Sequence, residues 1–507
     1  MSNLPNTTES REVDVLIVGA GISGINAAYR VQEQNPDLTY LVVDRRRQLG
    51  GTWDLFRYPG IRSDSDFFTL AFPFHPWTGK NVIVDGNEIL AYLTEVTETF
   101  GIDKHLQFDT KVHSGDWSSA DARWTVKCTV QGAETTITAK FVIMCTGYYD
   151  YDNPYDPEFQ GVGDFTGEIV HPQFWPEDLA CSGKRITVIG SGATAVTLVP
   201  SLAKLGADVT MVQRTPSYVL AQPRHDPIAD TARRFLPAGT AHCLMRAKNT
   251  ALQWTLYQAC RRAPGLMKAL LRKGAIAGTG SQAVVDEHFT PPYNPWDQRL
   301  CIAPHGDLFT AVKNGSATMV TGSIDTFVPE GLRLTDGRTV EADIVVTATG
   351  LSIKLLGGIE IRVDGTIIDL SRETAFRGVM LSNIPNLGFC IGYINLSWTM
   401  RADMSARLLA RILRRLSRTR ADWVAPALPD YLGPQGPLLD MQSGYLARAA
   451  ALMPRATNRY PWAMAQNFFR DAWATNRADL DEGLRWANRA AAGTATTPTT
   501  DSAITRG

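Results

Sequence analysis

The chain contains 507 residues, which at about 100 to 200 residues per domain predicts two to four cooperating domains. Hydrophobic residues make up 44% and charged residues 20%, a composition typical of globular proteins that excludes a disordered or fibrous chain. Lys and Arg number 50 against 51 Asp and Glu, so the formal net charge of -1 excludes a protein drawn to nucleic acid by its overall field.

The seven cysteines are scattered along the chain and form no CxxC or CxxxxC pair. This spacing argues against disulfides and thiolate metal sites. The first 14 residues contain no apolar segment of the signal-peptide kind, and no run of about 18 apolar residues occurs in the sequence. We therefore expect a cytoplasmic protein without a membrane span or a bound metal.

The first predicted unit is a βαβ segment near the start of the sequence. A short apolar run predicts a buried parallel strand, and it is followed at once by a GxGxxG pattern whose glycines are Gly19, Gly21 and Gly24. A helix-like stretch and a second strand come next, and that strand ends at Asp44, 20 residues after Gly24. The complete unit predicts a dinucleotide site, in which the glycines approach a pyrophosphate and Asp44 binds ribose hydroxyls.

A second unit of the same kind begins at residue 185. Its strand leads into a GxGxxA pattern that contains Gly190, Gly192 and Thr194, followed by a helix-like stretch and another strand. The acidic residue is missing here, and Gln213 and Arg214 take its place. Since an arginine at this position accepts a 2′-phosphate, the pair of units predicts FAD at the first and NADPH at the second.

Residues 225–290 predict a basic helical insert, in which Lys and Arg occur among Leu, Trp and Met. This pattern also occurs in helices at membrane surfaces. Because charged outer faces are common on solvated helices, we favour a helical subdomain packed on the second unit over a peripheral membrane contact.

The predicted fold class is α/β, with two Rossmann-like dinucleotide-binding domains and a helical insertion. The predicted divisions are an FAD-binding domain, first part (1–147), an interdomain linker (148–179), an NADP-binding domain (180–340), an FAD-domain return segment (341–489) and a disordered tail (490–507).

Two longer motifs accompany the nucleotide units. GGTWDLFRYPGIRSD at 50–64 resembles the A/G-G-x-W-x-x-x-x-F/Y-P-G/M-x-x-x-D pattern of type I Baeyer-Villiger monooxygenases. FTGEIVHPQFWP at 165–176 resembles their F-x-G-x-x-x-H-x-x-x-W-P/D fingerprint, and both motifs match at every specified position. Residues 57–66, 293–300 and 392–399 are similar to the ethionamide-activating monooxygenase branch of the family.

The resemblance implies an NADPH-reduced FAD that binds O2 as a C4a-peroxyflavin. One oxygen atom would then be inserted beside a ketone carbonyl, to form an ester or lactone, or onto a sulfide or thiocarbonyl sulfur. It also implies that Thr52, Trp53 and Asp64 border the cofactor and that Arg299 stabilises the anionic intermediates. Asp64 would orient the Arg299 guanidinium.

The second fingerprint contains His171 and Trp175, for which the resemblance implies a conformational role in the linker rather than general-base catalysis. Many family members have lysine before the matched arginine, where this chain has Gln298. Preference for NADPH over NADH therefore depends mainly on the arginine that ends the second unit. Trp398 and Asn395 lie in a late segment that we expect to border the flavin or the substrate.

Three other functions are compatible with parts of this pattern. A flavin-containing N- or S-monooxygenase has both nucleotide units but lacks the two fingerprints. A pyridine-nucleotide reductase would need a CxxxxC redox pair, which this sequence does not contain. A flavin-binding sensor or scaffold would not need Arg299 and Asp64. We therefore expect an oxidoreductase acting on a small-molecule ketone or sulfide with O2, and the sequence does not indicate its oligomeric state.

Overall fold

A computed structural model describes residues 10–439 and 448–489 of the chain, so the predicted tail at 490–507 lies outside the described residues. Its α-helices include short one-turn segments and helices of up to seven turns. They are α1 (Ile22–Gln34), α2 (Thr52–Leu55), α3 (Phe67–Leu70), α4 (Gly86–Thr99), α5 (Ala193–Lys204), α6 (Pro227–Phe235), α7 (Ala238–Arg262), α8 (Pro264–Thr279), α9 (Gln282–His288), α10 (Asp307–Lys313), α11 (Trp398–Thr419) and α12 (Phe468–Asn476).

The strands belong to two main sheets and several small ones. They are β1 (Arg11–Val18), β2 (Tyr40–Val43), β3 (Leu106–Gln107), β4 (Thr110–Ser118), β5 (Arg123–Val130), β6 (Ala133–Met144), β7 (Glu168–Val170), β8 (Arg185–Ile189), β9 (Asp208–Gln213), β10 (Val219–Gln222), β11 (Cys301–Pro304), β12 (Ala317–Thr321), β13 (Ile324–Val328), β14 (Gly331–Leu334), β15 (Thr339–Glu341), β16 (Ile344–Thr347), β17 (Glu360–Val363), β18 (Thr366–Ile367), β19 (Ala375–Phe376), β20 (Met380–Leu381), β21 (Leu387–Phe389), β22 (Trp423–Pro426), β23 (Gly436–Pro437), β24 (Arg455–Ala456) and β25 (Leu484–Ala487).

The first sheet is built around β1, which pairs in parallel with β2 on one side and β6 on the other. Its main path runs β18-β17-β4-β5-β6-β1-β2-β3, and β21 also pairs in parallel with β6. Leu16 and Ile17 are fully buried, as expected for a central parallel strand that is covered on both faces. Helices α1 and α11 pack together over this sheet, so the late part of the chain returns to the first nucleotide unit.

The second sheet is parallel throughout and runs β12-β9-β8-β16-β7. The β16 strand lies between β8 and β7, although the sequence analysis assigned residues after 340 to the return segment of the first domain. Likewise, β7 pairs with β16, although it comes from the segment predicted as linker. A buried apolar strand carries no signal for which of two similar sheets it joins, because both offer the same backbone hydrogen bonds. The two-sheet α/β architecture itself is as predicted.

The helical insert contacts both nucleotide units, whereas the sequence analysis placed it on the second unit alone. Met245 of α7 packs against Phe68 of the first unit. The buried guanidinium of Arg246 donates to the carbonyl oxygens of Phe68, Thr69 and Ala71, at 3.0, 3.0 and 2.7 Å. On the other side, α8 packs against β10 of the second unit. Within the described residues, no helix is both long and apolar enough to cross a membrane.

Candidate active site

A large cavity of about 1160 Å³ lies where the two glycine loops face each other. Pockets for a single small molecule usually measure about 300 to 1,000 Å³, so this one has room for more than one ligand. Both nucleotide units contribute residues to its walls. The lining residues that were singled out from the sequence are Gly19, Gly21, Asp44, Thr52, Trp53, Asp64, Gly190, Gly192, Thr194, Arg214, Gln298, Arg299 and Trp398.

The first glycine loop connects β1 to α1 and brings the amino end of that helix to the cavity. Gly19 has a φ of 111°, a conformation that side chains rarely adopt, and α1 begins directly after Gly21. Gly24 is not among the lining residues, and a Cβ on it would overlap the carbonyl oxygen of Gly19. Gly24 therefore allows helix and strand to pack closely, while the free N–H groups of α1 form an anion site.

Asp44 follows β2 and lies at the rim of this loop. One carboxylate oxygen accepts a hydrogen bond from the Ala20 N–H at 2.7 Å, and the other accepts from the Arg46 N–H at 2.9 Å. Burial raises the pKa of Asp44, and these two donors oppose the shift. The side chain therefore ties the strand end to the glycine loop as well as lining the cavity.

Helix α2 presents Thr52 and Trp53 to the same cavity. The Tyr151 hydroxyl is hydrogen-bonded to the Thr52 side chain, and burial raises the pKa of Tyr151 to about 12. Asp54, which follows Trp53 in α2, is buried and accepts a hydrogen bond from Arg57 at 2.7 Å. Sequence reasoning missed Tyr151 and Asp54. Tyr151 could have been found from the tyrosine-rich stretch that follows β6, since the carboxyl ends of parallel strands form ligand sites.

The structure brings Arg299 and Asp64 together although 235 positions separate them. The Arg299 Nη2 atom lies 2.8 Å from Asp64 Oδ2, and 31% and 37% of the two side chains remain exposed. Both residues line the cavity, next to the buried thiol of Cys301. Burial raises the pKa of Cys301 to about 12; the Arg299 charge opposes this shift and the Asp64 charge adds to it. The pair therefore presents an oriented cation to the cavity.

The second glycine loop leads from β8 into α5. Gly190 packs against the carbonyl of Ala348, whereas a Cβ on Gly192 would meet only open space. The hydroxyl of Tyr58, from the first unit, is hydrogen-bonded to Thr194, and burial raises the Tyr58 pKa to about 12. Arg214 follows β9, with an exposed side chain at the cavity edge. These groups suit an anionic dinucleotide on the α5 amino end.

The first fingerprint also forms a contact between the two units, which sequence reasoning missed. Arg62 Nη1 lies 2.6 Å from Asp307 Oδ2 at the start of α10, and only 9% and 11% of these side chains are exposed. Gly60 lies against Ser201 of α5, closely enough that a Cβ would overlap the serine hydroxyl. Residues between Asp54 and Asp64 therefore connect the first nucleotide unit to the second.

His171 and Trp175 are not among the described residues that line the cavity. His171 follows β7, and its Nδ1 accepts a hydrogen bond from the Gln173 N–H at 3.1 Å. Burial lowers the pKa of His171. Gln173 in turn donates to the Asp150 carbonyl at 2.9 Å, and Trp175 packs against the core of the second unit. The segment therefore joins the second sheet to a loop that borders the cavity.

The late segment meets the cavity through Trp398 but not through Asn395. The Trp398 indole N–H donates to the Ser23 hydroxyl at 2.8 Å, which holds the ring over the start of α1. Asn395 turns away and donates to the carbonyl of Gln466 at 2.8 Å, so it does not line the cavity as expected. The chain bends at 394–396, between β21 and α11, and sequence spacing does not show in which direction each side chain turns.

Two buried cysteines, Cys145 and Cys390, lie side by side at the ends of paired strands. Cys145 also lines the cavity. Burial, together with the hydrogen bond between the two thiols, raises the pKa of Cys145 well above its usual value. Because thiol exchange requires a thiolate, the raised pKa disfavours this reaction at Cys145.

Comparison with known proteins identifies the family. Residues 16–230 match the family model described as pyridine nucleotide-disulphide oxidoreductase. The FAD-containing monooxygenase EthA of Mycobacterium tuberculosis is 45% identical over 484 residues, covering 95% of this chain and 99% of that protein. A probable FAD-binding monooxygenase, AlmA of Acinetobacter baylyi, is 42% identical and covers 94% of this chain and 96% of its own length. The chain therefore belongs to the family of FAD-containing monooxygenases.

Solved structures confirm the predicted fold. An oxidised steroid monooxygenase bound to NADP superposes with a TM-score of 0.74 at 20% identity, covering 94% of this chain and all of that one. A closed form of cyclohexanone monooxygenase gives a TM-score of 0.74 at 20% identity, over 95% of this chain and all of its own. These structures confirm the predicted α/β fold with two Rossmann-like units, and the monooxygenase relatives confirm the prediction of an FAD-dependent oxidoreductase.

Proposed function

We propose that the protein is a Baeyer-Villiger monooxygenase that uses FAD, NADPH and O2. Its substrates would be small ketones, converted to esters or lactones, and organic sulfides or thiocarbonyls, oxidised at sulfur. The observation that carries this proposal is the Arg299–Asp64 pair at a cavity shared by the two nucleotide units. A reductase or a flavin-binding scaffold has no need of an oriented cation there.

The first unit fits FAD. The pyrophosphate would bind at the amino end of α1, over Gly19 and Gly21, and Asp44 would receive the ribose hydroxyls. Thr52 and Trp53 would border the cofactor further along the cavity. When bound and reduced by NADPH, FAD would supply the two electrons that activate O2 for transfer of one oxygen atom to the substrate.

The second unit fits NADPH. Gly190, Gly192 and Thr194 surround the amino end of α5, where N–H groups and the helix dipole favour a pyrophosphate. Arg214 would pair with the 2′-phosphate, for which a guanidinium provides two parallel donors. Gln298 also lines the cavity, but its uncharged amide adds no electrostatic attraction for that phosphate.

Arg299 would stabilise negative charge on oxygen as it develops during oxygen transfer. A fixed guanidinium needs little reorganisation at that moment, and the partly enclosed cavity weakens the screening by water. Asp64 would act as a positioning residue by holding the guanidinium at 2.8 Å. His171 and Trp175 would act at a distance from the cavity, by holding β7 against the loop that contains Asp150 while the two units move.

The test uses FAD-loaded protein that NADPH reduces under anaerobic conditions and that is then mixed with O2. Product and hydrogen peroxide are measured with a ketone, with a sulfide and with no substrate. We expect one ester or sulfoxide per NADPH with a substrate and peroxide only without one. Stoichiometric peroxide and no product across a panel of ketones and sulfides would overturn the proposal. Sulfoxide without any ester would restrict the activity to sulfur oxidation, and the Baeyer-Villiger assignment would be wrong.

A further inference from the structure

The outward face of α7 is uncharged over most of its length. Leu244 and Leu252, which lie two helical turns apart, are 51% and 60% exposed. Between them the exposed positions carry only alanine. The nearby cations point elsewhere, since Arg246 is turned into the protein and Lys248 pairs with Asp226. A solvated helix would carry charged side chains on this face, so the exposed apolar surface needs another explanation.

Helix α12 continues this apolar surface. The Phe469 ring lies edge-on to Trp254 of α7, with ring centroids 5.6 Å apart. Phe469 and Trp473, one turn apart, are 48% and 62% exposed. The Arg477 guanidinium lies 5.2 Å from the centre of the Trp473 ring. Exposed Trp beside Arg is typical of the boundary between lipid and water, where an apolar ring and a polar group are both satisfied.

A second and smaller cavity, of about 250 Å³, adjoins the end of α12. Arg407, Arg411 and Arg414, which share one face of α11, line it. Arg407 pairs with Asp403, whereas Arg411 donates to two carbonyl oxygens and forms no ion pair among the described residues. Arg414 likewise has no carboxylate partner within 10–439 and 448–489. Two guanidinium groups that line one cavity without a carboxylate partner favour an anionic ligand such as a phosphate.

The insert (225–290) contains nine Lys and Arg against four Asp and Glu, and this net positive charge complements an anionic surface. Residues 231–285 contain nine Lys and Arg but no Asp or Glu. Two copies of this segment facing each other would repel, which argues against self-association through it. Anionic lipid headgroups would attract it, and the exposed leucines and aromatic rings would insert between them.

We propose that the outer face of α7, the exposed aromatics of α12 and the arginine cavity form one docking surface for an anionic phospholipid membrane. A headgroup phosphate would occupy the arginine cavity. On its inner side, α12 packs through Phe468 and Ala472 against Tyr393 and Leu396, which line the large cavity. Docking would therefore place lipid behind one wall of the large cavity. The proposal does not depend on the flavin chemistry.

The test is co-sedimentation of the FAD-loaded full chain with vesicles of phosphatidylcholine alone or mixed with phosphatidylglycerol. We expect binding to the mixed vesicles only, with a loss as salt is raised. Arg414→Glu should weaken binding at least about fivefold, the factor for one cation near an anionic surface. Trp473→Ser should weaken it as well, and both variants should oxidise NADPH in solution as the parent does, which shows that they are folded.

Matched controls lie on other surfaces of the chain. Leu205→Ser removes an apolar side chain that is 50% exposed at the end of α5, and Arg372→Glu reverses a cation that is 82% exposed. Both should bind vesicles as the parent does. Equal binding to both vesicle types, no binding at all, or test variants that bind like the parent would each overturn the proposal. A dimer in light scattering that Trp473→Ser converts to a monomer would also overturn it.

Discussion

Replacing Arg299 by alanine gives the most direct test of the proposed oxygen-transfer site. Loss of one preorganised donor at a developing oxyanion costs about 2.7 to 4 kcal/mol, or about 10²- to 10³-fold in kcat. Asp64 lies 2.8 Å away and is 37% exposed, so solvent screens part of its effect. We expect Asp64→Ala to lower kcat about tenfold, or about 1.4 kcal/mol. Because Asp64 acts through Arg299, the double variant should equal Arg299→Ala.

The assay measures ester formation, peroxide release and NADPH oxidation for each variant, with FAD content determined from the absorbance spectrum. Arg299→Ala should keep FAD bound and still oxidise NADPH, with peroxide replacing the ester. Arg261→Ala is the matched control, because it breaks an ion pair of 2.7 Å with Asp297 that does not line the cavity. Normal ester formation by Arg299→Ala would refute the assignment. A double variant with the product of both single effects would show that Asp64 acts independently.

Three further predictions concern cofactor binding and pH. Gly24→Ala should abolish FAD retention, because the new Cβ would overlap the Gly19 carbonyl oxygen. Gly192→Ala places its Cβ in open space and should keep FAD. The flavin content of each variant after desalting distinguishes these outcomes. Arg214→Gln should raise KM for NADPH about 10- to 100-fold, because a hydrogen bond to a charged group contributes about that factor to binding, and should leave KM for NADH unchanged. Equal effects on both KM values would contradict the assignment of Arg214 to the 2′-phosphate. Burial lowers the pKa of His242 to about 4 from 6.5, so the unfolded chain binds the proton more readily. The free energy of unfolding should therefore fall by up to about 3 kcal/mol as pH drops from 6.5 to 4, and His242→Gln should reduce this loss in urea titrations; an unchanged pH dependence would refute the role of His242.

The two nucleotide units follow from local sequence. Each combines an apolar strand, a glycine loop and a helix within about 30 residues, and short-range sterics and hydrogen bonds determine that arrangement. The same local chemistry distinguishes Asp44 from Arg214 at the second strand. The α/β class and the FAD-dependent oxidoreductase activity were therefore accessible without coordinates.

Other features depend on contacts between distant residues. The pairing of Arg299 with Asp64 was expected only from a family resemblance, and the Arg62–Asp307 pair was not expected at all. The sheet that receives β16 and the direction in which Asn395 turns are set by packing that no local pattern encodes.

The clearest contrast is the helical insert. Its composition predicts basic helices, and the structure has helices there, but composition does not show which side chains face inward. The Arg246 guanidinium points inward because three backbone carbonyl oxygens of the first unit accept its hydrogen bonds, while Leu244 and Leu252 remain exposed. Sequence alone therefore determined the nucleotide units, whose interactions are local. Only the tertiary structure decided which surfaces meet and which stay exposed, because those contacts join residues more than a hundred positions apart.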